Sequence, residues 1–202
     1  MASHQDLVQY PSLEIARTVL TVTSESDEAL AARAAADPDA FAEIHRRYVD
    51  RIFRYCERRL RSEDGIEDAT NQIFLQALEG LQRTRVDHVQ PWLFSIAHNV
   101  VMDRYRGRRN EVDLDAALAV PGLGISPEET AIAKSDVTDL YSALARLTPD
   151  QRQVVELRLS GLTGPEIRTV LGRSRSWVDT TQFRALKRLR ELLAPPVMDR
   201  MY

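Results

Sequence analysis

The sequence predicts an all-α protein: two small helical domains joined by a flexible linker, the C-terminal one containing a helix-turn-helix. Three observations carry this. Apolar residues recur at three- and four-residue spacing over most of the chain, and no strand-like alternation stands out. Helix-opening signals, an acid or hydroxyl residue followed closely by proline, recur along it. Glycine and proline number only eight and nine in 202 residues, too few for a loop-rich chain. A composition of 44% hydrophobic and 28% charged residues suits a soluble protein with a buried core. The length suits one large domain or two small ones.

Residues 1–24 read as a poorly ordered N-terminal extension. The first domain is expected over 25–109. Asp37-Pro38 opens a helix to about Arg61, with Phe41, Ile44, Tyr48, Ile52, Tyr55 and Cys56 on one buried stripe. A second helix covers about 65–82, with Ile66, Ala69, Ile73, Phe74, Ala77 and Leu81 inward. Pro91 suits the first turn of a third, about 90–107, with Trp92, Leu93, Ile96, Val100 and Val101 inward. Residues 110–125 contain Pro121, Gly122 and Gly124 and read as the linker. The second domain is expected over 126–194. Capping boxes open its helices at Ser126-Pro127-Glu128-Glu129, Thr148-Pro149-Asp150-Gln151 and Thr163-Gly164-Pro165-Glu166. A fourth helix runs from about Ser174 to Ala194, and 195–202 form a tail.

Several function classes are excluded by what the sequence lacks. A lone cysteine, Cys56, permits neither an internal disulfide framework nor a cysteine-built zinc site, and its place on an inward stripe makes it a core residue. His4, His45, His88 and His98 have no ligand spacing. There is no glycine-rich phosphate loop, nucleophile elbow or HExxH motif. The chain is therefore expected to be no enzyme and to hold no metal or cofactor. No apolar run approaches the roughly 20 residues of a membrane span, and the N-terminus lacks a secretory pattern. No membrane insertion and a cytoplasmic location are expected.

The net charge of −3 argues against nucleic acid, but its distribution does not. Acids dominate residues 1–40 and 111–139, whereas 41–61 carries seven arginines to three acids and 163–190 seven basic residues to two acids. Segregation of this kind builds local fields that the total conceals.

Residues 163–182 fit a helix-turn-helix. Ile167, Val170 and Leu171 face inward on a short first helix, Gly172 supplies the turn, Ser174 caps the second helix and Val178 anchors it. That leaves Arg175, Ser176, Asp179, Thr180, Phe183, Arg184 and Lys187 outward, beside Arg173 in the turn. A helix laid in a major groove presents such a set to base edges and phosphates. A single charged amphipathic helix is by default a solvated bundle face; the glycine, cap and anchor together favour DNA. Asp179 either accepts from a cytosine amino group or pairs with Arg175, and the residues leave both open.

In the first domain an acidic patch, Glu63, Asp64, Glu67 and Asp68, leads into Asn71-Gln72-Ile73-Phe74-Leu75. The loop 82–90 and a helix ending Asp103-Arg104-Tyr105-Arg106-Gly107-Arg108-Arg109 follow. Basic residues interleaved with aromatics can hold single-stranded DNA by phosphate contact and stacking. Trp92 lies on the inward stripe and is assigned to the core.

GIEDATNQIFLQALEGL followed by PWLFSIAHNVVMDRYRGRR closely resembles the second conserved region of bacterial RNA polymerase sigma factors. LTPDQRQVVELRLSGLTGPEIRTVLGRSRSWVDTTQFRALKRLRELL resembles their fourth region. Those two regions with only a short linker are the arrangement of the extracytoplasmic-function (ECF) group of the sigma-70 family. The resemblance covers roughly residues 25–194. It implies that Asp68, Asn71, Gln72, Phe74 and Leu75 dock on the clamp helices of the polymerase's largest subunit. It implies that Arg83, Arg85, His88, His98, Asn99, Asp103, Arg104, Arg106, Arg108 and Arg109 recognise and open the minus-ten element. Arg173, Arg175, Ser176, Asp179, Thr180, Phe183, Arg184 and Lys187 would then read the minus-thirty-five element. The implied partners are core RNA polymerase, including the flap of its second-largest subunit, promoter DNA in double- and single-stranded form, and an anti-sigma factor holding a closed, inhibited form. The pattern is not uniform. Asn71 and Gln72 stand where the family commonly has glutamine and an acid, and Asp179 and Thr181 where lysine or arginine is usual. The alternative is a stand-alone helix-turn-helix regulator with an N-terminal sensor or dimerisation domain, which would need an apolar pocket in place of the 68–75 patch.

Overall fold

The computed structural model describes residues 25–60, 62–111 and 139–194, with the side chains at 63, 64 and 107–111 outside that description. The N-terminal extension, most of the linker, the helix expected from Ser126 and the C-terminal tail therefore lie outside the described residues.

The first helix, α1 (Asp27–Ala34), has no counterpart in the sequence reading. Its signals are local but slight. Ser26 Oγ accepts from the Ala29 amide at 3.2 Å, Asp27 and Glu28 occupy the first turn, and only Leu30, Ala31 and Ala34 are buried. It is fastened to the next helix through Asp27, which accepts from Arg47 at 2.7 Å and from the Tyr48 hydroxyl. α2 (Pro38–Arg59) starts where Asp37 Oδ1 accepts from the Asp39 and Ala40 amides, 3.0 and 3.4 Å. α3 (Glu63–Leu81) and α4 (Val89–Glu111) complete this group. α4 runs two residues past the expected start of the linker. Ile44, Ile52, Tyr55, Ile73, Leu93 and Phe94 are fully buried between these helices, and Cys56 lies wholly inside with them. Burial pushes the Cys56 thiol up to about 11.

The second group begins with helical residues 139–145 (α5), followed by α6 (Pro149–Leu159), α7 (Gly164–Leu171) and α8 (Arg175–Leu193). The capping box at Thr148 is made in both directions, 3.3 and 3.2 Å. Glu166 accepts from both the amide and hydroxyl of Thr163 at 2.6 Å.

The two helical groups that the sequence separates pack against each other and share one apolar cluster among the described residues. Val154, Leu157, Leu162, Ile167 and Val178 join the cluster built by α1 to α4, and α7 lies against α4. A smaller cluster of Ala143, Leu144, Leu147, Val155, Ala185 and Leu189 binds α5, α6 and α8 together. Ile167 is the buried residue of the short helix α7 and lies in that shared cluster, with Val170 and Leu171 packed against it.

Candidate nucleic-acid and polymerase interface

The helix-turn-helix is built as its residues require. Gly172 ends α7 at φ 61°, ψ 32°, the left-handed conformation that glycine adopts without penalty. Ser174 Oγ then accepts from the Trp177 amide at 3.2 Å and starts α8, with Val178 buried beneath. With that anchor fixed, Arg173, Arg175, Ser176, Asp179, Thr180, Phe183, Arg184 and Lys187 are all exposed. Phe183 stands out: 70% of it is in solvent, where a core aromatic would be covered. The Arg173 guanidinium stacks 5.1 Å over the Trp177 ring, which stiffens the entry to the helix. Arg175 and Asp179 form an exposed ion pair at 3.5 Å, so the intrahelical pairing foreseen for Asp179 is made.

On α3, Asp68, Asn71, Gln72 and Leu75 are exposed, Leu75 by 58%. Phe74 is not among them. It is 5% exposed and packs its ring 4.3 Å from that of His45, so its expected part as a docking anchor is corrected. The one-residue step from Leu75 turns the side chain by about 100° around the helix, from solvent to core. Phe74 supports the ridge; Leu75 tops it.

Arg83, Arg85, His88, Asn99, Asp103 and Arg106 are exposed around the loop and along α4. Arg85 pairs with Asp87 and Arg106 with Asp103, at 3.3 and 3.2 Å. His98 is half-buried, within 3.3 Å of the Tyr55 hydroxyl through Nδ1, and burial with the Arg59 and Arg106 cations holds its imidazole down at about 4. It is a neutral, enclosed ring rather than an open reader of bases. Arg104 is half-buried too and donates to Gln72 Oε1 at 3.2 Å, which ties α4 to the exposed ridge of α3. Arg108 and Arg109 lie in the last turns of α4, where only the backbone is described.

A third cluster escaped sequence reasoning. Where α2 meets the end of α6, Glu156 is wholly buried and accepts from Arg59 at 2.8 Å and Arg152 at 2.6 Å. Arg51 and Arg58 donate across the same seam to Ser160. Among the described residues no group of His, Cys, Asp and Glu is arranged to hold a metal ion.

Residues 44–111 match Sigma-70 region 2 and residues 138–189 match Sigma-70 region 4. The chain belongs to the sigma-70 family of RNA polymerase sigma factors, whose members direct the polymerase to promoters and are not themselves enzymes. Within that family it falls in the ECF group. It is 33% identical over 164 residues to the ECF RNA polymerase sigma factor BldN of Streptomyces coelicolor, covering 79% of this chain but only 62% of BldN. It is 32% identical over 173 residues to the ECF sigma factor ShbA of Streptomyces griseus, covering 79% of this chain and 88% of ShbA. Among solved structures it resembles CnrH in complex with the cytosolic domain of CnrY, with TM-score 0.65 and 25% identity over 83% of this chain and 96% of CnrH. No described helix is long and apolar enough to cross a membrane.

Proposed function

We propose that this ECF sigma factor divides promoter recognition between two faces and polymerase binding to a third. The helix α8 enters the major groove of the minus-thirty-five element. There Arg184 and Lys187 contact phosphate or base edges and Phe183 offers an apolar surface to thymine methyl groups. The loop 83–90 and the exposed residues of α4 hold the minus-ten element as it opens. Extruding a base from the stack costs a few kcal/mol, which phosphate contacts and a receiving pocket offset. Leu75, framed by Asp68, Asn71 and Gln72, seats in an apolar groove of the polymerase clamp helices.

The observation that carries this reading is α8 itself. Every residue assigned to groove contact is exposed, including an aromatic ring with no structural reason to be there. The work is cytoplasmic, because both the polymerase and its DNA are there. CnrH is seen with the cytosolic domain of CnrY, which supports a protein antagonist for this chain as well.

The decisive experiment is reconstituted transcription with core enzyme, this protein and genomic DNA, followed by mapping of RNA 5′ ends. Discrete start sites that vanish when the protein is omitted are expected, with two shared sequence elements upstream. Failure to co-migrate with core enzyme, or scattered starts, would overturn the proposal.

A further inference from the structure

Gly80 stands inside α3, one residue before its end, and its backbone is right-handed helical, a conformation open to any residue. Glycine inside a helix costs about 0.5–1 kcal/mol relative to alanine. The backbone gives no reason for a glycine here; the space beside it does. A Cβ at Gly80 would stand 2.8 Å from Cζ2 of the Trp92 indole and 3.6 Å from its Cη2. Carbon atoms pack at about 3.5–4.0 Å, so the indole seats in a notch that only a glycine leaves open. Trp92 lies in the first turn of α4, half-buried against the apolar core.

Both ends of the loop between α3 and α4 are tied at this contact. The Gly80 carbonyl accepts from the Arg83 amide at 3.0 Å and the Thr84 amide at 2.9 Å, which folds the chain back as it leaves α3. The Trp92 amide donates to the His88 carbonyl at 3.3 Å, which closes the first turn of α4. Val86 and Val89 are buried between the two ends. Arg83, Thr84, Arg85, Asp87 and His88 are left exposed. Arg83, Arg85 and His88 are the loop residues assigned to the opened strand, and Arg85 shares its 3.3 Å ion pair with Asp87 out in solvent.

The loop is therefore a short bridge slung between one backbone carbonyl and one indole-bearing turn that touch each other. Groups that recognise a ligand have to be held to within about 0.5 Å. Moving the indole from 2.8 Å to ordinary contact takes roughly 1 Å, and the turn that carries the far end of the loop moves with it. Alanine otherwise favours a helix over glycine, so its effect at this position reads the contact alone.

From this geometry we infer that the seat of Trp92 on Gly80 sets the position of the loop 83–90 relative to α4, and with it the capture of the opened minus-ten strand. Gly80 and Trp92 are positioning residues; the loop's own side chains meet the DNA. The inference rests on the assignment of that loop to the minus-ten element.

Core polymerase reconstituted with this chain tests it, on a fork-junction duplex taken from a promoter mapped by its start site. The upstream element is double-stranded. The non-template strand is left single across the minus-ten element and carries 2-aminopurine, which brightens when a base leaves the stack. Gly80→Ala is expected to weaken binding to the fork about tenfold, the worth of one lost base contact, and to dim the 2-aminopurine signal at saturation. Binding to a fully duplex upstream element, co-migration with core enzyme and the urea midpoint should match those of the unaltered chain. Trp92→Phe removes the ring atoms that a Cβ on residue 80 would meet. Gly80→Ala combined with Trp92→Phe should therefore regain fork affinity to within about threefold. A Gly80→Ala chain that binds the fork like the unaltered one, or that the second substitution does not rescue, would overturn the inference and leave the promoter role standing. An equal loss on the upstream duplex would overturn it too, because the damage would then be general. An unaltered holoenzyme indifferent to the single strand would overturn the loop's assignment itself, and the inference with it.

Discussion

Two faces of this molecule are rich in arginine and have opposite fates. On α8 and in the turn before it, Arg173, Arg175 and Arg184 stand in solvent with Lys187, and of these four only Arg175 has a charged partner, at 3.5 Å. On α2, Arg59 is 7% exposed and bound to a fully buried carboxylate, while Arg51 and Arg58 are spent on carbonyl and hydroxyl oxygens. Further along α2, Arg46 and Arg47 are committed to Glu43, whose carboxyl their hydrogen bonds hold down at about 2. A basic block in a sequence is therefore a statement about composition, not about where a polyanion binds. What separates the faces is whether oxygen atoms of the same chain reach the guanidinium first.

The comparison breaks most sharply at Arg59 and Arg184. Arg59→Ala leaves Glu156 buried with half its pairing and should destabilise the chain by about 3–5 kcal/mol, read as a lower urea midpoint. Arg184→Ala should leave stability within about 0.5 kcal/mol and weaken binding to the upstream element by about 1–3 kcal/mol. Equal effects of the two on stability would refute the distinction.

The α3 ridge draws the same contrast between adjacent residues. Phe74→Ala removes a buried ring and should cost about 3–5 kcal/mol of stability. Leu75→Ala should cost little stability yet reduce co-migration with core polymerase. Only the change at Leu75 isolates docking, because the change at Phe74 acts on the fold.

Much of this was legible because it is local. Asp37, Thr148 and Ser174 cap their helices through atoms within three residues, and Gly172 takes the conformation that its position before a capped helix demands. The outward set on α8 follows from one inward anchor, Val178, and helical periodicity. α1 was missed because three buried residues make no readable stripe. Phe74 was assigned to docking from a motif, although its own place on the inward stripe with Ile73 and Ala77 pointed to the core. The seam was illegible for a different reason. Arg59 and Glu156 are 97 residues apart, and nothing in either neighbourhood marks them as partners until the apolar faces have met.

His98 ties the buried face to pH. Burial, then Arg59 and Arg106, depress its imidazole to about 4 from an ordinary value near 6.5. Between those values the unfolded chain binds more protons, so stability is full above about pH 6.5 and declines as pH falls toward 4. Urea midpoints at pH 7.5 and pH 5 should differ, and His98→Gln should shrink that difference. An unchanged pH dependence would mean that the ring is not held neutral by its surroundings.

The smallest effect is expected at Asp179, and it sharpens the comparison furthest, since here an exposed arginine has acquired an internal partner after all. An exposed pair at four-residue spacing contributes at most about 0.5 kcal/mol, so Asp179→Ala should leave thermal stability nearly unchanged. Its consequence on DNA is larger. The carboxylate repels phosphate and engages Arg175, so its removal frees one cation on the exposed first turn of α8. Affinity for duplex DNA should rise, and the salt dependence should steepen by about one counterion. Were Asp179 instead an acceptor for a cytosine amino group, the substitution would erase a preference at one base pair and leave the salt slope alone. Titrations at two salt concentrations, against duplexes differing at that one pair, separate the two. The 3.5 Å pairing favours the first outcome, in which Asp179 restrains the arginine beside it rather than reading a base.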